Sequence, residues 1–407
     1  MEFQCFDSSS CGFPKPKVPV LPPLTGKSLQ RKSPSAQPGS PSPLAGVAKA
    51  RAYARGRYAL LDAYRLAGVG KQGALLAPSY HCSTMLDPAI RLQADIRLYP
   101  LKPDLAPDLQ GLEATFNAST SPVKALLATH YFGFPQRLDD LAAFCASHGI
   151  ALIEDCSHAL FTPLRPEGEA AMGAIGESGR YVIASPYKFY ASEDGGLLWA
   201  NEGASMPVSA PPAPRPIDEL KGMQGSIHRA RANHAAPQVN ALDNAITALG
   251  AQHTPLGRDV RNQKVSLSVY YLPAQEGLKS LAYSRWIIRH TNIERLARER
   301  QKNYQRWVQA VANLPHCRAL LPDLPADCVP YMFPLLLESP EPHFNTLKHL
   351  GVPVWRWDDM AVSNCPVAST YRLQLLHLPC HQELSTLQMN WMTAAVSKVM
   401  LQTPVAS

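Results

Sequence analysis

The sequence predicts an α/β chain: a large unit built on a mostly parallel mixed sheet flanked by helices, followed by a smaller α+β unit. Three observations carry this expectation. Short apolar runs alternate with helical patterns from Arg57 to Ala200, the order that builds a parallel sheet. The chain has 407 residues, 46% hydrophobic and 17% charged, enough apolar material for one large core or two smaller ones. Beyond residue 266 helical patterns outnumber strand-like runs. The expected organisation is a proline-rich arm over 1–48, a large domain over 49–265 and a small domain over 266–407.

Taken in order, residues 14–44 hold nine prolines among Ser, Gly and Lys, a composition that buries too little apolar surface to offset the entropy of ordering it. A mobile or merely draped arm is expected, in which Val18–Leu24 either lies extended on the body or serves as linker. From Arg57 to Ala67 the apolar positions recur at helical spacing, and Gly68 offers a left-handed stop. The runs Ala74–Ala77, Ile96–Tyr99, Val123–Thr129 and Ile150–Glu154 read as strands, with a helix over Leu138–Ser147 stopping at Gly149. Arg180–Ala184 and Gly196–Ala200 add two strands, and Met206–Pro216 reads as a surface insertion. The large domain is expected to close near residue 265. Helices over Ile293–Val311, Pro342–Leu350 and Leu384–Leu401, with a strand-like run at Val329–Leu337, complete the second unit.

Composition removes several classes of function. Lys and Arg number 39 against 32 Asp and Glu, but residues 1–51 hold seven of the basic residues against Glu2 and Asp7, so the remainder is nearly balanced. No basic cluster with interleaved aromatics follows residue 60, which disfavours nucleic acid as a partner. The nine cysteines form no CxxC pair and are odd in number, as expected of free thiols in a reducing compartment. Met1–Phe13 lacks a basic start followed by an apolar run, and no 18 apolar residues run uninterrupted, so a cytoplasmic chain without a membrane span is expected.

Chemistry is suggested by two segments. Ala151–Asp155 reads as a buried strand ending in a carboxylate, at the edge where open α/β sheets hold their ligands. Acidic residues at strand ends are common caps of the next helix, so by itself this feature favours structure, and His158 alone is a core or capping histidine. Lys188 follows the next strand and sits among Pro186, Tyr187, Phe189 and Tyr190. Such surroundings would desolvate its ammonium and free the amine as a nucleophile; a snorkelling surface lysine fits the segment as well.

Together, a carboxylate at one strand end and a lysine about 33 residues later match the needs of pyridoxal 5'-phosphate. The lysine forms an aldimine with the cofactor, and the aspartate keeps the pyridine nitrogen protonated so that the ring accepts electrons. His158 is a candidate for the ring's phenolic oxygen. Arg55-Gly56-Arg57 opens the first strong helix, where Gly56 lets the phosphate approach free backbone N–H groups and Arg57 adds a charge-assisted bond. Pro78-Ser-Tyr-His-Cys82 would set Tyr80 or His81 against the ring face.

These pieces, in the order Gly56-Arg57-x-Ala59-Leu60, Pro78-Ser-Tyr, Thr129-His-Tyr-Phe-Gly133, Ile153-Glu-Asp155-x-x-His158, Lys188 and Asp194-Gly-Gly196, resemble the DegT/DnrJ/StrS family of pyridoxal-phosphate-dependent sugar aminotransferases. The resemblance runs from about residue 50 to residue 400 and takes in Arg298–Tyr304 and His377-Leu-Pro-Cys-His381. It implies a type I aminotransferase fold, a homodimer with active sites at the subunit interface, and amino transfer from an amino acid, typically glutamate, to a nucleotide-linked keto sugar, as in surface-polysaccharide or antibiotic-sugar synthesis. By position Lys188 would be the aldimine lysine, Asp155 the pyridinium partner and His158 the substitute for a commoner glutamine. A lysine at 188 favours transamination over the family's dehydratase branch.

The sequence departs from the family pattern at several points. Ile183 stands where a phosphate-binding serine is usual, the nearest hydroxyl being Ser185. Gly56-Arg57 replaces a Gly-Thr turn, Cys82 stands where a ring-stacking aromatic is expected, and no asparagine aligns with the one the neighbouring subunit normally contributes. These changes point to a divergent branch with an unfamiliar acceptor or to a catalytically impaired binding partner of an active homologue.

Other signals lead elsewhere. Gly68-Val-Gly-Lys-Gln-Gly73 matches a dinucleotide pattern but follows a helix and precedes a strand, the reverse of the required context. Gly26-Lys27-Ser28 lacks the upstream glycine of a phosphate loop. Ser185-x-x-Lys188 matches a serine-acylating motif without its companions, leaving a Ser185 hydrolase as a distant alternative. His377, Cys380 and His381 lack a fourth zinc ligand, so no metal is expected.

Overall fold

The computed structural model describes residues 1–29, 42–162, 175–206, 209–232, 236–250, 256–262, 266–326 and 328–402. Seven strands form the main sheet, in the order Arg51–Tyr53, Gly196–Ala200, Tyr181–Ala184, Ala151–Asp155, Val123–Thr129, Ala74–Pro78 and Ile96–Tyr99. Gly196–Ala200 is antiparallel to both neighbours, and the five strands beyond it run parallel to one another. The sheet is thus mixed and mostly parallel, as expected from the alternating strands and helices.

Successive residues of a strand face opposite sides, and here both sides are covered. Leu127, Ile153 and Ile183 pack under the helices Gly56–Ala67 and Ser83–Arg91 with Tyr58, Ala63 and Leu86. Leu126, Leu152 and Val182 pack on the other face with Leu112 and Leu141 of the helices Leu109–Asn117 and Asp139–His148. The continuous apolar runs in the sequence follow from this double burial. Gly68 and Gly149 close their helices in the left-handed conformation, with φ of 83° and 64°.

A second core lies between an antiparallel sheet of Cys317–Ala319, Met332–Leu337 and Leu375–Pro379 and the helices Ile293–Val311, Pro340–Leu350 and Thr386–Met400. Trp307, Phe333 and Trp391 fill it. Ser385 and Gln388 form a reciprocal capping box, which starts the last helix two residues later than the apolar pattern implies. The run expected from Val329 pairs only from Met332.

The described part of the expected arm is packed on the body. Phe3–Asp7 is the central strand of a small antiparallel sheet between Arg258–Asn262 and Met360–Ala361. Val18 is fully buried in the second core. Thr25 donates to Glu383, and Arg295 donates to the carbonyl of Lys27. Residues 30–41 of the arm lie outside the described residues, as do 263–265, where the domain boundary is expected. In Met206–Pro216 the residues from 209 onward are largely exposed and lead into a 17-residue helix, Pro216–Ala232, that the sequence reading does not anticipate. Among the described residues no helix is long and apolar enough to cross a membrane.

Candidate active site

Strand register creates the site. Thr129 pairs with Asp155 and Asp155 with Ile183, so three side chains leave the same face of the sheet at its carboxyl edge. All three line one cavity. The start of helix Gly56–Ala67 closes one side, and the turn Pro186–Lys188 another. Cys82, Ser157, His158 and Trp357 complete the wall.

Asp155 is only 4% exposed, and its Oδ1 accepts the Ser157 N–H at 2.8 Å. His158 accepts the Phe132 N–H through Nδ1 at 3.4 Å, and its ring stacks on Tyr331 at 4.4 Å. Burial holds its pKa well below the ordinary imidazole value, and the charges of Lys188 and His377 push the same way. The imidazole is therefore neutral, and the Nδ1 acceptor role assigns the proton to Nε2.

Lys188 is half-buried, with Nζ 5.5 Å from the centre of the Tyr331 ring. Its backbone is held by Arg300, a fully buried residue that the sequence reading quotes only inside a motif. One guanidinium nitrogen of Arg300 donates to the carbonyls of Lys188 and Phe189, another to those of Pro330 and Tyr331, and Nε to Gln382. One planar fork thus fixes the lysine turn against the Tyr331 segment.

At the opposite end, Arg55 caps the helix without a side-chain cap bond and lies over the Tyr187 ring at 4.7 Å. Arg57 donates to the Tyr270 carbonyl. Ser185 Oγ lies 2.9 Å from Ser157 Oγ and pairs there rather than with Lys188. The helix start, two arginines and two hydroxyls make this end suited to an anion, while the Asp155 end suits a cation or an N–H donor.

Two expected contacts are corrected. Tyr80 and His81 do not line the cavity. Tyr80 is fully buried behind Trp357, ring centres 4.8 Å apart, and its hydroxyl is 2.8 Å from His377 Nε2. His81 turns away, and its Nε2 accepts the Ala361 N–H at 3.3 Å. The chain leaving Ala74–Pro78 turns so that Cys82, not its predecessors, reaches the cavity. Thr129, Ser157 and Trp357 are among the lining residues to which the sequence assigns no role. Thr129 and Ser157 sit inside quoted motifs, so strand-end position was the available signal; Trp357, some 170 residues beyond Lys188, carries none.

Residues 42–206 match the model of the DegT/DnrJ/EryC1/StrS aminotransferase family, so the resemblance read from the motifs holds over that segment. The chain is 26% identical over 162 residues to the UDP-N-acetyl-3-dehydro-alpha-D-glucosamine 3-aminotransferase of Acidithiobacillus ferrooxidans, covering 38% of this chain and 41% of that protein. The chain matches about two fifths of the length of its curated relatives. Among solved structures it resembles the sugar aminotransferase CalS13 from Micromonospora echinospora, with a TM-score of 0.57, 16% identity and coverage of 94% and 99% of the two chains. A DegT DnrJ EryC1 StrS aminotransferase from Brucella abortus gives a TM-score of 0.56 at 17% identity, covering 87% and 86%. At these identities the structural likeness speaks for the fold alone, the type I aminotransferase fold expected from the sequence.

Proposed function

We propose that the chain is a pyridoxal-phosphate-dependent aminotransferase that moves an amino group from an amino acid, glutamate being the expected donor, to a keto sugar carried on a nucleotide. The observation that carries this reading is the single cavity lined by Asp155, His158, Lys188, Ser185, Gly56 and Arg57. The family match over 42–206 supports it.

The cavity fits the cofactor on two counts. Thr129 Oγ1, beside Asp155, is buried without a hydrogen-bond partner among the described residues, an arrangement that leaves a donor or acceptor waiting for a ligand. Gly56 lets the helix start lie directly against Ser185 Oγ, where a Cβ would fall only 2.2 Å away, so the helix N-terminus and a hydroxyl meet at one end of the cavity. Gly56, Arg57, Ser185 and Ser157 would hold the phosphate, Asp155 the ring nitrogen, His158 the phenolic oxygen, and Lys188 the covalent link. Bound there, the cofactor supplies an electron sink for the carbanion left when the substrate loses a proton beside nitrogen.

The remaining work falls to the chain. Asp155 spends one oxygen on the Ser157 N–H and keeps the other for a proton on the ring nitrogen. The neutral His158 donates from Nε2. Lys188 Nζ would take the proton from the donor's carbon and hold it for the return transfer, a role for which the Arg300 clamp on its backbone fixes the lysine turn. A cytoplasmic homodimer belongs to the same proposal: Val269, Tyr270 and Leu272 are exposed by 85%, 62% and 49% beside Arg57, an apolar patch at the cavity mouth.

The test is direct. Purified chain given pyridoxal phosphate should gain a visible absorption band, borohydride should fix the cofactor to Lys188, and glutamate should bleach the band. Lys188→Ala should lose the fixed label and all turnover. Absence of the band from the wild-type chain overturns the reading. Cys82 and Ile183 on the cavity wall favour the impaired-partner alternative, which gains if the cofactor attaches but no amino donor reacts.

A further inference from the structure

We infer that Trp357 is the aromatic wall against which the cofactor's pyridine ring packs, doing the work that Cys82 is too small to do. This rests on the reading just given. A planar heteroaromatic ring gains affinity from an aromatic face in offset contact. The cavity's aromatic side chains are His158, Tyr187 and Trp357. Two of these are already engaged: Tyr331 stacks on His158 at 4.4 Å, and the Arg55 guanidinium lies over Tyr187. Cys82 directs its thiol to Thr84 Oγ1 at 3.1 Å and brings no ring to the cavity.

Trp357 is built into its position. Tyr80 backs the indole at 4.8 Å with the planes 34° apart, and the His158 ring lies 5.7 Å away at a similar tilt of 35°. The segment that carries the indole is pinned on both sides. Trp355 and His377 exchange two backbone hydrogen bonds, of 3.1 and 2.7 Å, and His377 Nε2 also meets the Tyr80 hydroxyl. Arg356, next to Trp357, lies over the rings of Phe6 and Phe344 and pairs with Glu341 and Asp358. Support of this kind on both neighbours and on the rear face marks a pre-organised contact surface rather than a surface indole. Its partly exposed ring lines the same cavity as Lys188 and Asp155.

Titration of the full chain with pyridoxal phosphate, followed by tryptophan fluorescence and by the visible band, tests this. The chain has six tryptophans, so Trp357 is read as the difference between wild type and variant. Trp357→Phe should bind the cofactor within about threefold of wild type yet lose most of the fluorescence quench. Trp357→Ala should bind at least about tenfold more weakly, with the melting temperature of the cofactor-free chain showing that it still folds. Wild-type affinity in Trp357→Ala, or a full quench in Trp357→Phe, overturns the inference. If the wild-type chain itself binds no pyridoxal phosphate, the functional reading falls instead.

Discussion

A Cβ built on Gly56 falls 2.2 Å from Oγ of Ser185, so the first turn of helix Gly56–Ala67 meets the segment that carries Lys188 with no room for a methyl group. Ser185 is also tied to Ser157 and has no long side chain to swing aside. Gly56→Ala must therefore displace the hydroxyl pair or the helix start, an overpacking that costs about 1–3 kcal/mol. The expected result is weaker binding of pyridoxal phosphate by about tenfold or more with an unchanged circular dichroism spectrum. Unaltered binding would remove Gly56 from the phosphate site.

Asp155→Asn separates charge from shape. The amide oxygen still accepts the Ser157 N–H, so the loop keeps its form, but the ring nitrogen loses the anion that holds its proton. Turnover should fall by at least about a hundredfold while borohydride still fixes the cofactor to Lys188. A variant that retains half of wild-type turnover would count against the role assigned to Asp155.

The contrast between Asp155 and Trp357 shows what the sequence makes legible. Asp155 ends a continuous apolar run, and a parallel sheet puts strand ends at its ligand edge; position and chemistry are both local facts. The helix Ile293–Val311 is legible to the residue because its apolar stripe is sustained over 19 positions. Trp357 lies in an irregular segment, and its neighbours Tyr80 and His158 are distant in sequence, so only tertiary contact defines its place. Arg300 is similar: a buried guanidinium serving four carbonyls looks, in sequence, like any arginine on a charged helix. Phe3–Asp7 hid for the opposite reason, a short strand made stable by partners more than 250 residues away.

Glu154, on the opposite face from Asp155, holds the sheet rather than the ligand. Its carboxylate accepts the His130 Nε2–H at 2.9 Å and the N–H groups of Gly176 and Gly179. His130 Nδ1 accepts the Gln136 N–H, which fixes the donor on the other nitrogen. Burial pushes the carboxyl's pKa up, but His130 and the two glycine N–H groups hold it below the usual carboxylate range. Glu154→Gln turns an amide N–H toward one of these donors and should cost about 3 kcal/mol, read as a lower urea midpoint. An unchanged midpoint would show that the three donors find other partners.

Acid should unfold the chain through its buried histidines before its carboxylates. Burial pushes His81 down to about 4 and, with Lys188 adding to it for His377, pushes His377 and His381 down to about 3, against 6.5 for a free imidazole. Folded, each ring is neutral and its Nε2 is engaged: His377 Nε2 meets the Tyr80 hydroxyl, His81 Nε2 accepts the Ala361 N–H, and His381 Nε2 meets the Pro19 carbonyl. Below pH 6.5 the unfolded chain binds protons that the folded chain refuses, so stability is full above that pH and is lost as the pH falls toward 4. Each group contributes a slope of up to about 1.4 kcal/mol per pH unit. The melting temperature should be flat between pH 7 and 8 and fall steadily from 6.5 to 4.5, and His381→Asn should reduce that slope because one refusing group is gone. A melting temperature that stays level down to pH 4.5 would mean that these rings are protonated in the folded chain, which the Ala361 N–H facing His81 Nε2 does not allow.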